Sequence, residues 1–525
     1  MNIKNLHPAT ILLATCLLAS GASGLITQYI CAGISGQLLG NTLKQMAVVV
    51  GLMMFGYGVA AIAQANLKKH LIGWFVTIEC SLAVLAGLAP LIMQWSYGNM
   101  QEHFELIQYS MAFSIGALVG LEIPLVMRIN ERFVKTLGGN LASTFSWDYI
   151  GAAGGSMLYI WLLSRIGMNE IALVTSGINL TIAIITFMYF YRLDEKNVTK
   201  LVFGSLALLG TASFLIFASV NQKEWRHINL AKLYDDTVMF SKETTYQQLV
   251  ITNNVVNDDW RLFINGNLQF SSSDEYIYHE NLVHPAAQLV EAQGLEVKNT
   301  LILGGGDGIA ARELWKYPKM ETVTMIDLDA GMTKVFREHE KMVEINGNSL
   351  AKTDVINADA YAYMAKNKGD WDVVIVDFPD PNHVDLNKLY TYEFYKNLYN
   401  NTDSDVVIAI QSTSPMHAKE TYLCVQRTLE AAGWKTLAYH DNVPTFGDWG
   451  WFLAWKPSNG LDTADVVSKL ASKSEYSVET KYAYPRQFLA STVFGKVIKT
   501  DKTSINTNND PFVVNYYINE SEVWF

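Results

Sequence analysis

Apolar residues fill the first 220 positions in long runs, each about the 20 residues that a helix needs to cross the hydrocarbon core of a bilayer. Seven such runs lie near residues 9–31, 45–66, 71–95, 106–129, 146–166, 171–192 and 201–220. The first, ATILLATCLLASGASGLITQYI, could pass for a secretory signal. Six more follow and no cleavage context stands out, so a mature multi-pass α-helical membrane domain is expected over 1–220. Past a polar connector, NQKEWRHINLAKLYDDT, the period changes. YQQLVITN from Tyr246 and WRLFINGNLQFSS from Trp260 are rich in β-formers, and Asn265-Gly266 is a hairpin turn signal, which predicts a small β-domain over 221–285. Short β-branched runs follow, TLILGG, VTMIDLD, DVINAD, WDVVIVDF and DVVIAIQ, with helix-length segments between most of them. That alternation predicts a largely parallel sheet covered on both faces, an α/β doubly wound, Rossmann-like domain of the methyltransferase type over 286–525.

Charge sharpens the division. Of the 39 Lys+Arg and 50 Asp+Glu, residues 1–220 hold 11 and 9, leaving 28 and 41, or about −13, for the remainder. Such a field repels nucleic acid, so no nucleic-acid partner is expected, and it attracts a polycationic small molecule. Most of these acids serve as ordinary solvated surface. Cys16, Cys31 and Cys80 lie in the apolar half and only Cys424 beyond it, so the soluble half holds no internal disulfide. No CxxC or histidine cluster points to a metal, and none is expected.

The candidate chemistry begins at LILGGGDGIAARELW, where Gly304, Gly305, Gly306 and Gly308 surround Asp307 between a strand-like and a helix-like stretch. Glycine at such a turn allows positive φ and lets backbone approach a ligand, which makes Gly304 and Gly306 candidate binding positions. Asp327 ends the next strand, 20 residues after Asp307, where an acid accepts hydrogen bonds from ribose hydroxyls. A dinucleotide would require GxGxxG, but the chain has Ile309. An acid pointing inward from the loop would repel phosphates or a carboxylate and hold an amine, so the expected ligand bears adenosine and a cationic tail. The strand WDVVIVDF ends in Asp377, and Asp380-Pro381 follows a Phe378-Pro379 turn, so two acids converge on the same crevice. One can hold a cation while the other takes a proton; a plain turn is the alternative reading of Asp380-Pro381. Asp359 could accept from an adenine amino group, with Ala360 leaving room for the ring. Tyr278 and His279 lie in DEYIYHENLVHP, where a merely buried, hydrogen-bonded histidine is the alternative.

These motifs, GGGDG, DEYIYHE, VTMIDLD and Asp377-x-x-Asp380-Pro381, come in one order, and residues 230–460 resemble the spermidine synthases. Those are aminopropyltransferases that use decarboxylated S-adenosylmethionine, here a membrane-fused bacterial type. The resemblance implies that Gln247, Asp327, Asp359 and Ala360 contact the nucleoside. It implies that His279, Asp307 and Asp380 line the aminopropyl and polyamine channel, with Tyr278 beside the attacking amine and Asp377 as proton acceptor. The expected reaction moves the aminopropyl group to putrescine or a related polyamine, giving spermidine and methylthioadenosine, with the donor as co-substrate and no tightly bound cofactor. Further expected partners are the lipid bilayer and, as a homodimer, a second copy of the chain. Departures concern the acceptor side: NHVDLNKLYT replaces a Gly-Pro pair, Thr413 stands where many members have Glu, and Phe446 where a tyrosine often lies. Two other classes stay open, an S-adenosylmethionine methyltransferase and a polyamine transporter or sensor with a binding-only soluble domain.

Glu79, Glu122 and Asp148 fall in or near the apolar runs, where acids are costly unless paired or wet, and are candidates to line a polyamine path. An inner-membrane location follows from the runs. Lys68-Lys69, Arg128 to Lys135 and Arg192 to Lys200 fall in alternate loops, which the positive-inside rule makes cytoplasmic and which, with seven spans, puts the catalytic half outside. Supply of the decarboxylated donor favours the cytoplasmic face instead, and that is the expectation carried forward.

Overall fold

The computed structural model describes residues 7–39, 42–134, 136–163, 165–193, 198–496, 498 and 503–524. It divides into two compact units, Met1–Asn253 with Ile264–Gly266, and Asn254–Phe263 with Asn267–Phe525. The division falls inside the segment expected to form the small β-domain.

Among the described residues the first unit is built on seven α-helices, α1 (Pro8–Leu39), α2 (Thr42–Ala63), α3 (Leu71–Asn99), α4 (Phe104–Asn130), α5 (Leu137–Leu163), α6 (Met168–Leu193) and α7 (Val198–Ala231). Among the described residues six helices are long and apolar enough to cross a membrane; the run near 146–166 is not one of them. That run belongs to α5, which is a helix but carries Asn140, Asp148 and five glycines. The polar connector is also not a loop, because α7 continues through it to Ala231.

Small residues set how these helices meet. A Cβ on Gly116 would lie 2.6 Å from Met53 Cα, and one on Gly120 2.5 Å from Tyr57 Cα, so α2 and α4 touch backbone to backbone in parallel. Gly151 and Gly155 do the same for α5 against Leu18 and Ala22 of α1, at 2.9 and 2.7 Å. Both pairs follow the small-xxx-small spacing that lets apolar helices associate through close packing. Arg128 donates to Gln64 and Leu67, which gathers Arg128 and the Lys68-Lys69 loop at one end of the bundle. The end of α7 is at the other, where Gly98 faces Leu233 and Lys232 donates to Asn99. Lys135 and the side chains of 192–200 lie outside the described residues.

Two strands close the first unit, β1 (Thr237–Glu243) and β2 (Gln248–Asn254), paired antiparallel. The second unit opens with β3 (Asp259–Ile264) and β4 (Asn267–Ser271). Asn265 and Gly266 between them have φ of 49° and 83°, the left-handed pair that a tight hairpin turn demands.

Helix α8 (Glu275–Ala292) runs through the boundary expected at 285/286 and leads into β5 (Asn299–Gly304), helix α9 (Ile309–Leu314), β6 (Thr322–Asp327), β7 (Asp354–Asn357), β8 (Val373–Asp377), β9 (Val407–Gln411), β10 (Lys435–Val443) and β11 (Gly447–Trp455). The sheet order is β10-β11-β9-β8-β5-β6-β7, with β7 to β9 parallel through β5 and the last two strands antiparallel. The five parallel strands are those read from the five β-branched runs. The central ones are buried through their interiors, Leu301, Ile302 and Leu303 of β5 with Val373, Val374 and Ile375 of β8 among them, whereas the edge strand β7 is half-exposed. The order in which successive strands are added reverses at the β5/β8 neighbours, and crevices at such a switch point, beyond the strands' carboxyl ends, are where these sheets bind ligands. Gly304 and Asp377 are register partners at that point.

Replacing Gly116 with Leu is expected to cost about 1–3 kcal/mol through overpacking and to lower the thermal midpoint in detergent. Gly58→Leu, whose Cβ would meet nothing within 4 Å, is expected to leave that midpoint unchanged.

Candidate active site

The glycine loop is shaped by what lies against it. Gly304 sits at φ 88°, and a Cβ there would strike the carbonyl oxygen of Asp377. Gly306 has an ordinary backbone, but its Cβ would lie 2.6 Å from the Asp327 carboxylate. These two positions therefore bring the ends of β5, β6 and β8 within one crevice. Asp307 accepts from Ile309 N–H at 2.8 Å, and its carbonyl is held by Asn346 at 2.9 Å, so the acid stays at the mouth of α9.

Asp377 is partly exposed at the end of β8 and accepts a 2.6 Å hydrogen bond from the Tyr278 hydroxyl. Burial, then the charge of Asp377, pushes the Tyr278 phenol well above its usual range, so it remains a donor. Burial and the neighbouring charge of Asp307 raise Asp377 to about 6. Asp380 is also raised to about 6 by burial, against hydrogen bonds from Tyr517 at 3.0 Å and Gln411 at 3.4 Å. Gln411 and Tyr390 pin the turn between the two acids, Gln411 through Phe378 O and Tyr390 through Pro379 O at 2.7 Å.

His279 is buried, with Nδ1 on the Glu275 carbonyl at 2.8 Å and on the Glu275 carboxylate at 3.2 Å. Burial pulls its pKa down, yet Glu275, Asp307 and Asp377 together lift it to about 9, so the ring is cationic near neutrality. It is a hydrogen-bonded core histidine whose charge acts on the carboxylates of the crevice. Asp307 is raised by burial, offset in part by His279.

Among the residues expected to contact the nucleoside, Asp327 is raised to about 7 by burial, while its carboxylate accepts from Asp329 N–H at 2.8 Å. Asp359 caps the helix Ala360–Lys366 through Tyr361 N–H at 2.9 Å, and its other oxygen is paired with Lys388. Ala360 is buried at the first turn. Gln247 lies in the first unit, in the β1–β2 turn, where its backbone bonds with Thr244 at 2.8 and 3.0 Å.

Around Tyr278 stand Phe446, Trp449 and Trp451, with ring centroids 6.1, 6.4 and 5.8 Å away, an apolar wall beside the carboxylates. The turn carrying Phe446 is tied down by Asp274, which accepts from Thr445 at 2.8 and 3.0 Å. The arrangement can hold a cationic chain between acids and a nucleoside against Asp327, and can take up a proton at Asp377.

A family model for the spermine/spermidine synthase domain matches residues 275–465. The polyamine aminopropyltransferase of Leptospira interrogans is 33% identical over 96% of this chain and 97% of its own length. The chain belongs to the polyamine aminopropyltransferase family. The enzyme of Oceanobacillus iheyensis is 33% identical over 94% of each chain, and polyamine aminopropyltransferase 1 of Streptomyces coelicolor 32% over 98% and 95%. The likeness thus extends through the helical half.

In this aminopropyltransferase several site residues have no signal in the short motifs. Gln411 ends a strand that was read for its β-branched residues, and Tyr517 belongs to the C-terminal helix Phe512–Trp524, far from any recognised stretch. Lys388, partner of Asp359, lies in the segment that departs from the usual Gly-Pro. A further buried trio, Glu280, His284 and Glu313, has metal-ligand spacing, but its members are already engaged. Glu280 accepts from three backbone N–H groups of residues 481–483, and Glu313 pairs with His284, Arg312 and Lys316.

Gly306→Ala is expected to push the Asp327 carboxylate out of place and weaken methylthioadenosine binding about tenfold, or ~1.4 kcal/mol, in a calorimetric titration. An unchanged affinity would separate Gly306 from the nucleoside site.

Proposed function

We propose that the enzyme transfers the aminopropyl group of decarboxylated S-adenosylmethionine to putrescine or a related polyamine, yielding spermidine-type product and methylthioadenosine. The observation that carries this reading is the Tyr278–Asp377 hydrogen bond inside a crevice shared with Asp307 and Asp380. Asp307, Asp380 and the His279 region receive the cationic chains. Gly304, Gly306, Asp327, Asp359 and Ala360 receive the nucleoside. Asp377 takes the proton from the attacking amine, with Tyr278 holding one of its oxygens.

The chemistry follows from charge. A primary alkylamine with the pKa of a lysine, ~10.4, is free base in only about one molecule in ~10³ at pH 7, a deficit of roughly 4–5 kcal/mol. A positioned carboxylate that accepts the proton as nitrogen attacks the methylene beside sulfur reduces that deficit. Aromatic walls limit competing water. The C–S bond breaks toward the sulfonium, which leaves as neutral thioether, so no further activation of the leaving group is required.

Six long apolar helices of the first unit support a location in the lipid bilayer, and a homodimer is the proposed assembly. Donor supply assigns the catalytic unit to the cytoplasmic face. The clustering of Arg128 and Lys68-Lys69 at the bundle end opposite that of α7 favours the reverse orientation through the positive-inside rule. The native cysteines are buried, so an exposed Ser404→Cys reports cleanly. Labelling of that thiol in intact cells by an impermeant maleimide would overturn the cytoplasmic assignment, and labelling only after lysis supports it.

Asp377→Asn is expected to lower kcat by about 10²–10⁴-fold in folded protein, with donor affinity retained. Full turnover in that variant would remove the proposed base. With Asp377 and Asp380 both raised to about 6, each gains a proton as pH falls through that value, so kcat/KM should drop on the acid side near pH 6. Tyr517→Phe removes a hydrogen bond that holds Asp380 down and should move this limb to higher pH.

A further inference from the structure

Inside the helical unit two acids face each other with nothing to neutralise them. Glu79 on α3 is fully buried and Glu122 on α4 is 2% exposed, and each carboxyl feels the charge of the other. Neither oxygen of Glu79 has a hydrogen-bond partner, nor does Glu122 Oε1; Glu122 Oε2 is met by the Ser20 hydroxyl. No Lys, Arg or His among the described residues pairs with either acid. A narrow crevice on the Glu122 side of the pair is lined by Ser20, Ser23 and Thr27 of α1 and Asn179 of α6, with apolar side chains of α3 and α4 completing its wall, and is too tight as it stands to hold a water. Ser23 Oγ is likewise buried and unpartnered.

Other groups that act on this pair are Cys16 on α1, Tyr57 on α2, Cys80 on α3 and Asp148 on α5. All are acids or neutral, so none supplies a counter-charge. Two adjacent carboxylates in an apolar interior cannot both be ionised alone. With one proton between them they are stable; without it, a cation must enter. Ammonium suits the lining, because its three N–H donors match the carboxylate oxygens and the Ser23 hydroxyl.

We propose that Glu79 and Glu122 form an exchange site that holds a proton at rest and the primary ammonium end of an alkyl polyamine when that proton leaves, making the helical unit a cation carrier as well as an anchor. The choice of polyamine rests on the proposed reaction of the catalytic unit; the exchange site itself does not. Because the crevice is closed to water in this state, entry of the amine after the proton leaves requires α1, α3, α4 and α6 to part around it. Ser20, Ser23 and Asn179 orient the incoming group.

The test uses the full chain in vesicles enclosing a pH-sensitive dye, with spermidine, putrescine or Na⁺ added outside. Wild type is expected to raise luminal pH in response to the amines, faster than protein-free vesicles, as protons leave in exchange. The double variant Glu79→Gln with Glu122→Gln should lose that response about tenfold or more. Its aminopropyl transfer in detergent should stay within about twofold, because neither residue belongs to the catalytic site. Ser23→Ala, which removes an unpartnered atom and tolerates folding, should weaken the amine response several-fold. A wild-type response equal to that of the double variant, or one driven by Na⁺ and not by amines, would overturn the proposal. Loss of aminopropyl transfer in the wild type with the amine response intact would instead overturn the reading of the catalytic unit alone.

Discussion

Burial of carboxylates at one rim of the sheet is the constraint around which the catalytic unit is arranged. Asp307, Asp377 and Asp380 lie by the β5/β8 switch point, where burial makes ionisation harder for each of them and the charge of Asp307 adds to it at Asp377. The surroundings offset this in layers. His279 supplies a positive charge, and Glu275 holds that ring. Arg312 in turn grips both oxygens of Glu275 at 2.8 and 2.9 Å. Tyr278, Gln411 and Tyr517 donate to the acids directly. A binding site organised this way leaves net negative charge for a cationic ligand to complete, and it leaves Asp377 near the protonation threshold, as a proton acceptor needs.

Much of this was legible because strand ends carry short-range signals. The five parallel strands read as uninterrupted apolar runs, and each of Gly304, Asp327 and Asp377 falls where its run stops. Asn265-Gly266 announced its hairpin through the backbone conformation that only such residues adopt readily. What stayed hidden depends on tertiary pairing. Tyr517 meets Asp380 across 137 positions and Thr445 meets Asp274 across 171, separations that no local pattern encodes. The connector after residue 220 reads as polar, yet it extends α7, because charge does not prevent helix formation once a turn is already nucleated.

In the helical unit the informative residues are the small and the charged ones, since the apolar background says only that the segments are long enough to span. Gly116, Gly120, Gly151 and Gly155 fix which helices approach, by removing the atoms that would keep backbones apart. The same close approach of α1 to its neighbours brings Ser20 to Glu122. The run at 146–166 was read as one more span, and its glycines and Asp148 lower its hydrophobicity below that of the six others while serving the contact with α1.

The account stands on the claim that the crevice is built for positive charge and against negative. Calorimetric titration of the purified enzyme with decarboxylated and with ordinary S-adenosylmethionine tests this most directly, because the two ligands share nucleoside and sulfonium and differ in one carboxylate. The decarboxylated donor is expected to bind at least about 100-fold more tightly, a difference of ~2.7 kcal/mol. Equal or tighter binding of the carboxylate-bearing ligand would contradict the charge logic of the whole site.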